Sequence, residues 1–378
     1  MKRHLAVAPL VALFVILASV GAFAESTRTT NAQRALQWLT CSQQQANGQI
    51  GSGGNAIARS SEVALGLAAA GQPASAMQHG DASLADYLRT ATSTDVGTNG
   101  ELLLARASQP SAGPTATVAA QLQAAKALSG PSQGEYGSDL YSDALAILGL
   151  RAAEQPVTTD SITFLRAHQQ ADGGWSFDNA DQYGEDSNTT ALVLQALIAA
   201  GVSADDPAIS KGFSYLQSVF SQGGFGDAPG SAPDPNSDEL VVLAAVAAGR
   251  QTDTIWNSMI NDAVDNLSSQ QLGSGADAGA IASSFSKLFA TTQAPNAFLL
   301  RPLTVGGIAE ARIALLPCAS AAAASASPTI RPAPVATTVR LAQTGQPRQA
   351  MPSWPLPLGV LVLLCGATLA RGRTRSSR

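Results

Sequence analysis

The middle of the chain repeats itself, and that repetition restricts the fold more than any other feature. WLTCSQQQANGQIGSGG followed by SSEVALGLAAAG, FLRAHQQADGGWSFDNADQYGEDSNTTALVLQALIAAG, and YLQSVFSQGGFGDAPGSAPDPNSDELVVLAAVAAG share one grammar. An aromatic-leucine pair (Trp38-Leu39, Phe164-Leu165, Tyr215-Leu216) lies on a helix, and a glycine-rich turn follows. A second helix of Ala, Leu and Val then ends at Gly71, Gly201 or Gly249. These glycines suit the left-handed position past a helix end, and Asp205-Asp206-Pro207 supplies a cap with proline in the first turn. Asp186 and Ser187 cap TTALVLQAL in the same manner. Weaker copies run through Tyr87-Leu88 with ELLLARA, through Gln121 to Leu128 with YSDALAILGL, and through Leu267 with AIASSFSKLF. That gives about six helix pairs, plus a closing helix expected around Thr304 to Leu316.

In TTALVLQALIAA nearly every position is apolar, so the second helix of a pair is covered on most sides, whereas the first carries one apolar face. The expected fold is therefore all-α with an inner and an outer ring, an (α/α)6 toroid of helical hairpin repeats over residues 25–318. Closing such a ring brings its first and last pairs together and sets Cys41 beside Cys318; the remaining cysteine, Cys365, lies in an apolar C-terminal stretch. A bridge across this seam is worth roughly 5 kcal/mol in the chain-entropy account, and measured values often fall lower.

Gln169, Gly173 and Trp175, spaced Q-x3-G-x-W after Phe164-Leu165, resemble the QW repeat of squalene and terpene cyclases. Gln44 and Gly48 echo it with Ile50 in place of the aromatic, and Gly223-Gly224-Phe225 is a further degenerate copy. The resemblance is to the prenyltransferase and squalene cyclase repeat superfamily and covers most of residues 31–316. It implies an α-α toroid in which the Gln caps a helix end, the Gly permits the turn and the Trp packs over the neighbouring pair. These are staples between repeats, and fold alone does not carry function.

The chemistry of that superfamily is not matched by the sequence. Protonating cyclases need an Asp held as a strong acid in D-x-D-D, a string absent here; Asp178/Asp181 and Asp234/Asp238 have other spacings. Asp205-Asp206-Pro207-Ala208-Ile209 lacks the last acid of D-D-x-x-D, and a zinc set fails because residues 25–318 hold only His79 and His168. The thioester string Gly-Cys-Gly-Glu-Gln is absent too. No Ser/His/Asp or Cys/His set emerges, so no catalytic residue and no cofactor is expected. The acidic turn Asp178, Asp181, Glu185, Asp186 is a weak calcium candidate, since oxygen-rich turns outside cells hold Ca²⁺; the plainer reading is a solvated turn and a helix cap.

Both ends read as addresses. Met-Lys-Arg-His, an apolar run from Leu5 to Gly21, and Ala22-Phe23-Ala24 suit a cleaved signal peptide over residues 1–24. Near the C-terminus, LAQTG (Leu341, Ala342, Gln343, Thr344, Gly345) precedes an apolar segment over residues 354–370 and the arginines 371, 373, 375 and 378. Residues 341–378 resemble a sorting signal read by class E sortases, which implies cleavage between Thr344 and Gly345. The alternative is a single membrane-spanning anchor. Residues 319–340, rich in Ala, Ser, Pro and Thr, suit a disordered stalk. The expected location is the cell surface, fixed to wall or membrane, with sortase and the cell envelope as partners.

Seven of the 22 lysines and arginines lie outside residues 25–344 while all 27 acids lie inside, leaving a net −12. Such a surface repels phosphate backbones, so nucleic-acid binding is not expected. Three readings remain: a non-catalytic surface module binding a small hydrophobic ligand or another surface component, a cyclase-like or other α-α barrel enzyme, and a cobalamin-carrier-like protein. The centre of the ring discriminates among them, because a wide apolar pit favours a ligand and a filled centre favours a spacer or a protein contact.

Overall fold

The computed structural model describes residues 25–318 apart from positions 181, 305, 306, 311 and 312. The expected signal peptide, stalk, sorting motif and membrane segment lie outside the described residues. Chain contacts divide the molecule after Ala319, and the second unit, Ser320–Arg378, lies outside them as well. No described helix is long and apolar enough to cross a membrane.

Twelve α-helices occur among the described residues: α1 (25–38, continued by a π turn Leu39–Gln43), α2 (Ala56–Ala69), α3 (Leu84–Thr90), α4 (Val96–Ser108), α5 (Ala116–Ala125), α6 (Leu140–Ala152), α7 (Thr159–Ala167), α8 (Ser187–Ala199), α9 (Pro207–Ser218), α10 (Pro235–Ala247), α11 (Thr254–Gln270) and α12 (Lys287–Phe298). The even-numbered helices pack each on the next, α2 on α4 through to α10 on α12, and α12 returns to α2. That closes an inner ring of six. The odd-numbered helices lie outside it, which is the toroid expected from the repeats.

Sequence composition accounts for the two layers. On α11 the buried residues Trp256, Met259, Ile260, Ala263, Val264 and Leu267 follow a single helical stripe, so one face meets the ring and the other meets solvent. On α8 every residue from Thr189 to Leu197 is buried. Asp95, Asp139, Asp186 and Asp234 accept backbone N–H groups at the N-termini of α4, α6, α8 and α10, and Asp206 does so for α9.

The staples behave alike across the ring. Gln169 Nε2 donates to the carbonyls of Gly173 at 2.9 Å and Ala208 at 2.8 Å, tying one repeat to the first turn of α9. Gln44 Nε2 donates to Gly48 and Met77 in the same way. Gly173 has φ of 100°, and a Cβ there would sit 2.4 Å from the Lys211 carbonyl oxygen, so only glycine fits. Trp175 is fully buried against Gly212 and donates Nε1 to the Leu165 carbonyl at 2.7 Å. Gly223 differs: it turns the hairpin between Phe220–Ser221 and Gly224–Phe225, with nothing within 4 Å of a Cβ. Phe225 is fully buried and stacks on Trp256.

The seam carries a staple that spacing hides. Gln271 Nε2 donates to Gly279 at 3.0 Å and to Asn31 of α1 at 2.9 Å, joining the last repeat to the first. Its glycine stands eight residues away, whereas Gln44 and Gln169 find theirs after four. Cys41 and Cys318 form a disulfide across the same seam, Cα atoms 5.4 Å apart.

The expected closing helix does not form. From Leu299 to Cys318 the described chain is a non-helical strap. Leu303 N–H faces Gln195 Oε1 of α8 at 3.4 Å, and the N–H groups of Ala309 and Ile313 donate to the carbonyls of Ala68 and Ala70. Those carbonyls stand at the C-terminal end of α2, where the helix leaves acceptor capacity unused, so the strap gains more by bonding to them than by coiling alone.

Candidate functional site

One recurring hydrogen bond sets the rotation of the inner helices. In five repeats the second residue after the turn glycine donates its backbone N–H to a side chain near the start of the inner helix. The pairs are Ile50 to Ser60, Tyr136 to Asp143, Trp175 to Thr190, Phe225 to Asp238 and Ile281 to Thr291, at 2.7–3.0 Å. Two residues beyond each acceptor the chain faces the ring axis. Glu62, Leu145, Leu192, Leu240 and Gln293 occupy that position, and Glu101 of α4 joins them.

These side chains, with Leu65, Leu104, Tyr141, Leu243, Asn296 and the strap's Leu303, enclose a cavity of about 20 Å³. That is room for one or two water molecules. The centre of the toroid is otherwise packed with leucine.

Into this small space the inner helices bring carboxyl groups. Glu62 accepts from Thr292 Oγ1 and, at 2.6 Å, from Gln293 Nε2. Burial raises its pKa to about 7, offset in part by those two bonds and by Arg59. Glu101 accepts no hydrogen bond among the described residues, and burial followed by the charge of Glu62 and Asp95 pushes its pKa well above the carboxylate range. Glu239, on α10 beside Asp238, is fully buried with neither oxygen partnered, and burial raises it likewise. Burial also lifts the Tyr141 phenol, Glu101 and Glu62 adding to the effect. Desolvation disfavours the charged form of each group, so all three glutamates are weaker acids than a free carboxyl.

The calcium candidates are engaged elsewhere. Asp178 accepts from Ser176 Oγ and Gln182 N–H, Asp186 caps α8, and Glu185 gives its carbonyl to Tyr215. Asp181 lies outside the described residues. Among the described residues no three His, Cys, Asp or Glu side chains form a metal cluster. His168 turns Nδ1 to the Phe164 carbonyl and its ring to Phe164. A wider groove of about 550 Å³ between Arg89, Arg106 and Glu154 is open to solvent. Arg106 spends its guanidinium there on the carbonyls of Leu88, Arg89, Ala91 and Pro114.

Glu62, Glu101 and Glu239 escape a reading based on known catalytic strings. The signal was nonetheless present, since SSEVALGL, GELLLARA and SDELVVLAA each place one glutamate inside an otherwise apolar helix.

Closed inner ring, outer ring and glycine-glutamine staples define an α-α toroid. Residues 83–232 match the profile of the squalene-hopene cyclase C-terminal domain. The apo structure of the type II terpene cyclase MstE from Scytonema superimposes with a TM-score of 0.52 at 15% identity, covering 73% of this chain and 98% of that one. A variant of the same cyclase in complex with geranylgeranyl dihydroxybenzoate gives 0.49 at 14% identity, covering 73% and 97%. No curated protein matches at the level of sequence. The chain thus shares the α-α toroid fold of a type II terpene cyclase, and residues 83–232 within it are similar to the squalene-hopene cyclase C-terminal domain.

Proposed function

We propose that the chain is an exported toroid held at the cell surface by its C-terminus, where it acts by contact with another surface component and not by cyclase chemistry. The observation that supports this is the centre: a cavity of about 20 Å³ closed by Leu303. A polyprene or cobalamin requires a pocket of roughly several hundred Å³. The acids present also work against catalysis. Protonating an alkene takes a strong acid, and burial makes Glu62, Glu101 and Glu239 weaker acids than a free carboxyl. Contact with a partner would use the outer surface and the rim, with the closed ring serving as a rigid body.

The cyclase reading keeps one specific support, the family match over residues 83–232. One experiment separates the two. The protein is incubated with squalene and with geranylgeranyl-bearing aromatics, then analysed for cyclised product and, by native mass spectrometry, for retained polyprene. Neither product nor retained ligand is expected; a cyclised product overturns the proposal. Surface attachment is tested by Thr344→Ala, which abolishes linkage to the wall if sortase reads LAQTG.

A further inference from the structure

We propose that the central chamber is a cation site in which Glu62 and Glu101 hold one small divalent ion, with the Gln293 amide oxygen and the Tyr141 phenol completing an oxygen shell.

The lining offers more acceptors than donors, the Tyr141 hydroxyl being its one unspent O–H among the described residues. Gln293 spends Nε2 on Glu62, and its Oε1 is buried with no partner. Asn296 spends Nδ2 on the Arg301 carbonyl. Glu101, about nine-tenths buried, lines the chamber and accepts nothing. No Lys, Arg or His is among the lining residues. Arg59, whose charge reaches Glu62, gives its guanidinium to the carbonyls of Ile50 and Ser52. An unpartnered carboxyl such as Glu101, beside Glu62 and inside a collar of leucines, is costly to bury, so the arrangement asks for a positively charged guest.

Size, charge and ligand type narrow that guest. The chamber admits a bare ion with at most one water, which excludes an organic ammonium larger than a few atoms. Two carboxylates balance one double charge. Carboxylate, amide and phenol oxygens suit hard cations, and an irregular set suits Ca²⁺ better than Mg²⁺, which demands near-octahedral geometry. The site rests on two carboxyls with neutral oxygens, in keeping with the absence of any three-acid cluster among the described residues.

Asp95, Asp139, Asp186 and Asp234 cap four of the six inner helices at their N-terminal ends. Binding exchanges charge for charge: one divalent ion enters and up to two carboxyl protons leave to solvent. The groups bearing on Glu62 and Glu101 are Asp95 before α4, Tyr141 on α6, Glu239 on α10 and Arg59 on α2, while α12 contributes the neutral Thr292 and Gln293. Affinity falls at acid pH, where protons compete with the ion for the carboxylates.

The test is titration calorimetry of the full chain with CaCl₂ at pH 8, in two buffers of different ionisation enthalpy, together with melting curves. The expected result is one saturable site, release of one to two protons per ion, a rise in Tm, and at least tenfold weaker binding at pH 5.5. Glu101→Gln abolishes binding while raising the Tm of the ion-free protein. Glu62→Gln also abolishes it, and the surface variant Asp178→Asn leaves it intact. Absence of saturable Ca²⁺ binding overturns the proposal and leaves neutral acids with internal water. Binding that survives Glu101→Gln places the ion elsewhere and overturns it too, as does a site that takes K⁺ but not Ca²⁺.

Discussion

On α2, α4 and α12 the chamber wall carries Glu62, Glu101, Gln293 and Asn296, whereas on α6, α8 and α10 it carries Leu145, Leu192, Leu240 and Leu243, with the Tyr141 phenol as the one polar group. Both halves hang on one scaffold. Ser60 and Thr291 anchor the polar side by the same backbone hydrogen bond that Asp143, Thr190 and Asp238 make on the apolar side. The anchor fixes which residue faces the axis and leaves its chemistry free. The polar half is thus not a requirement of the toroid, since leucine fills the same position in neighbouring repeats.

The comparison can be broken by exchanging the two chemistries. Leu192→Asp puts a carboxyl on the apolar wall with no Thr292 or Gln293 to receive it, and urea denaturation at pH 7.5 is expected to show a loss of about 4 kcal/mol. A loss below about 1 kcal/mol would mean that this wall is wet. The pH dependence comes next in size. Glu62 has a folded pKa raised from 4.5 to about 7, so its contribution is fully present below about 4.5 and is lost as pH rises through 7. Asp143, Asp186 and Asp238, each raised to about 7 chiefly by burial, act in the same direction. In the absence of divalent ions, Tm is expected to be highest near pH 4.5 and to decline toward pH 8. Each such group contributes on the order of 1–3 kcal/mol; a flat profile contradicts the neutral-acid reading.

The smallest expected effect sharpens the same contrast. Glu239→Gln replaces an unpartnered acid by an isostere that cannot ionise in the unfolded chain. It should be neutral at pH 4.5 and stabilising by about 1–2 kcal/mol at pH 8, measured as the difference between denaturation curves at the two pH values. Equal effects at both pH values would mean that Glu239 is ionised in the folded protein.

Much of the architecture could be read from sequence because it repeats. Aromatic-leucine pairs, glycine turns and apolar second helices fixed the number of pairs, and Gln44 and Gln169 stood at a recognisable spacing from Gly48 and Gly173. Gln271 escaped notice because a longer loop moves Gly279 four residues further on. Residues 304–316 read as helical from composition, yet the carbonyls of Ala68 and Ala70 at the end of α2 compete for the N–H groups of Ala309 and Ile313, a tertiary effect that no local pattern encodes. The glutamates were missed because apolar periodicity draws attention to the majority residue at each turn. The informative positions in these helices are the exceptions.

The seam disulfide has a mechanical consequence. Cys318 is the last residue of the strap and is bonded to Cys41, just beyond α1. If the chain is tethered beyond Cys318, as proposed, tension from the envelope enters the domain through sulfur and passes directly to the first repeat. The strap becomes a slack loop bypassed by the load, so Ala309 and Ile313 keep their bonds to α2 and Leu303 stays seated over the chamber. Pulling on such a tether would then load the disulfide before it loosened the ring.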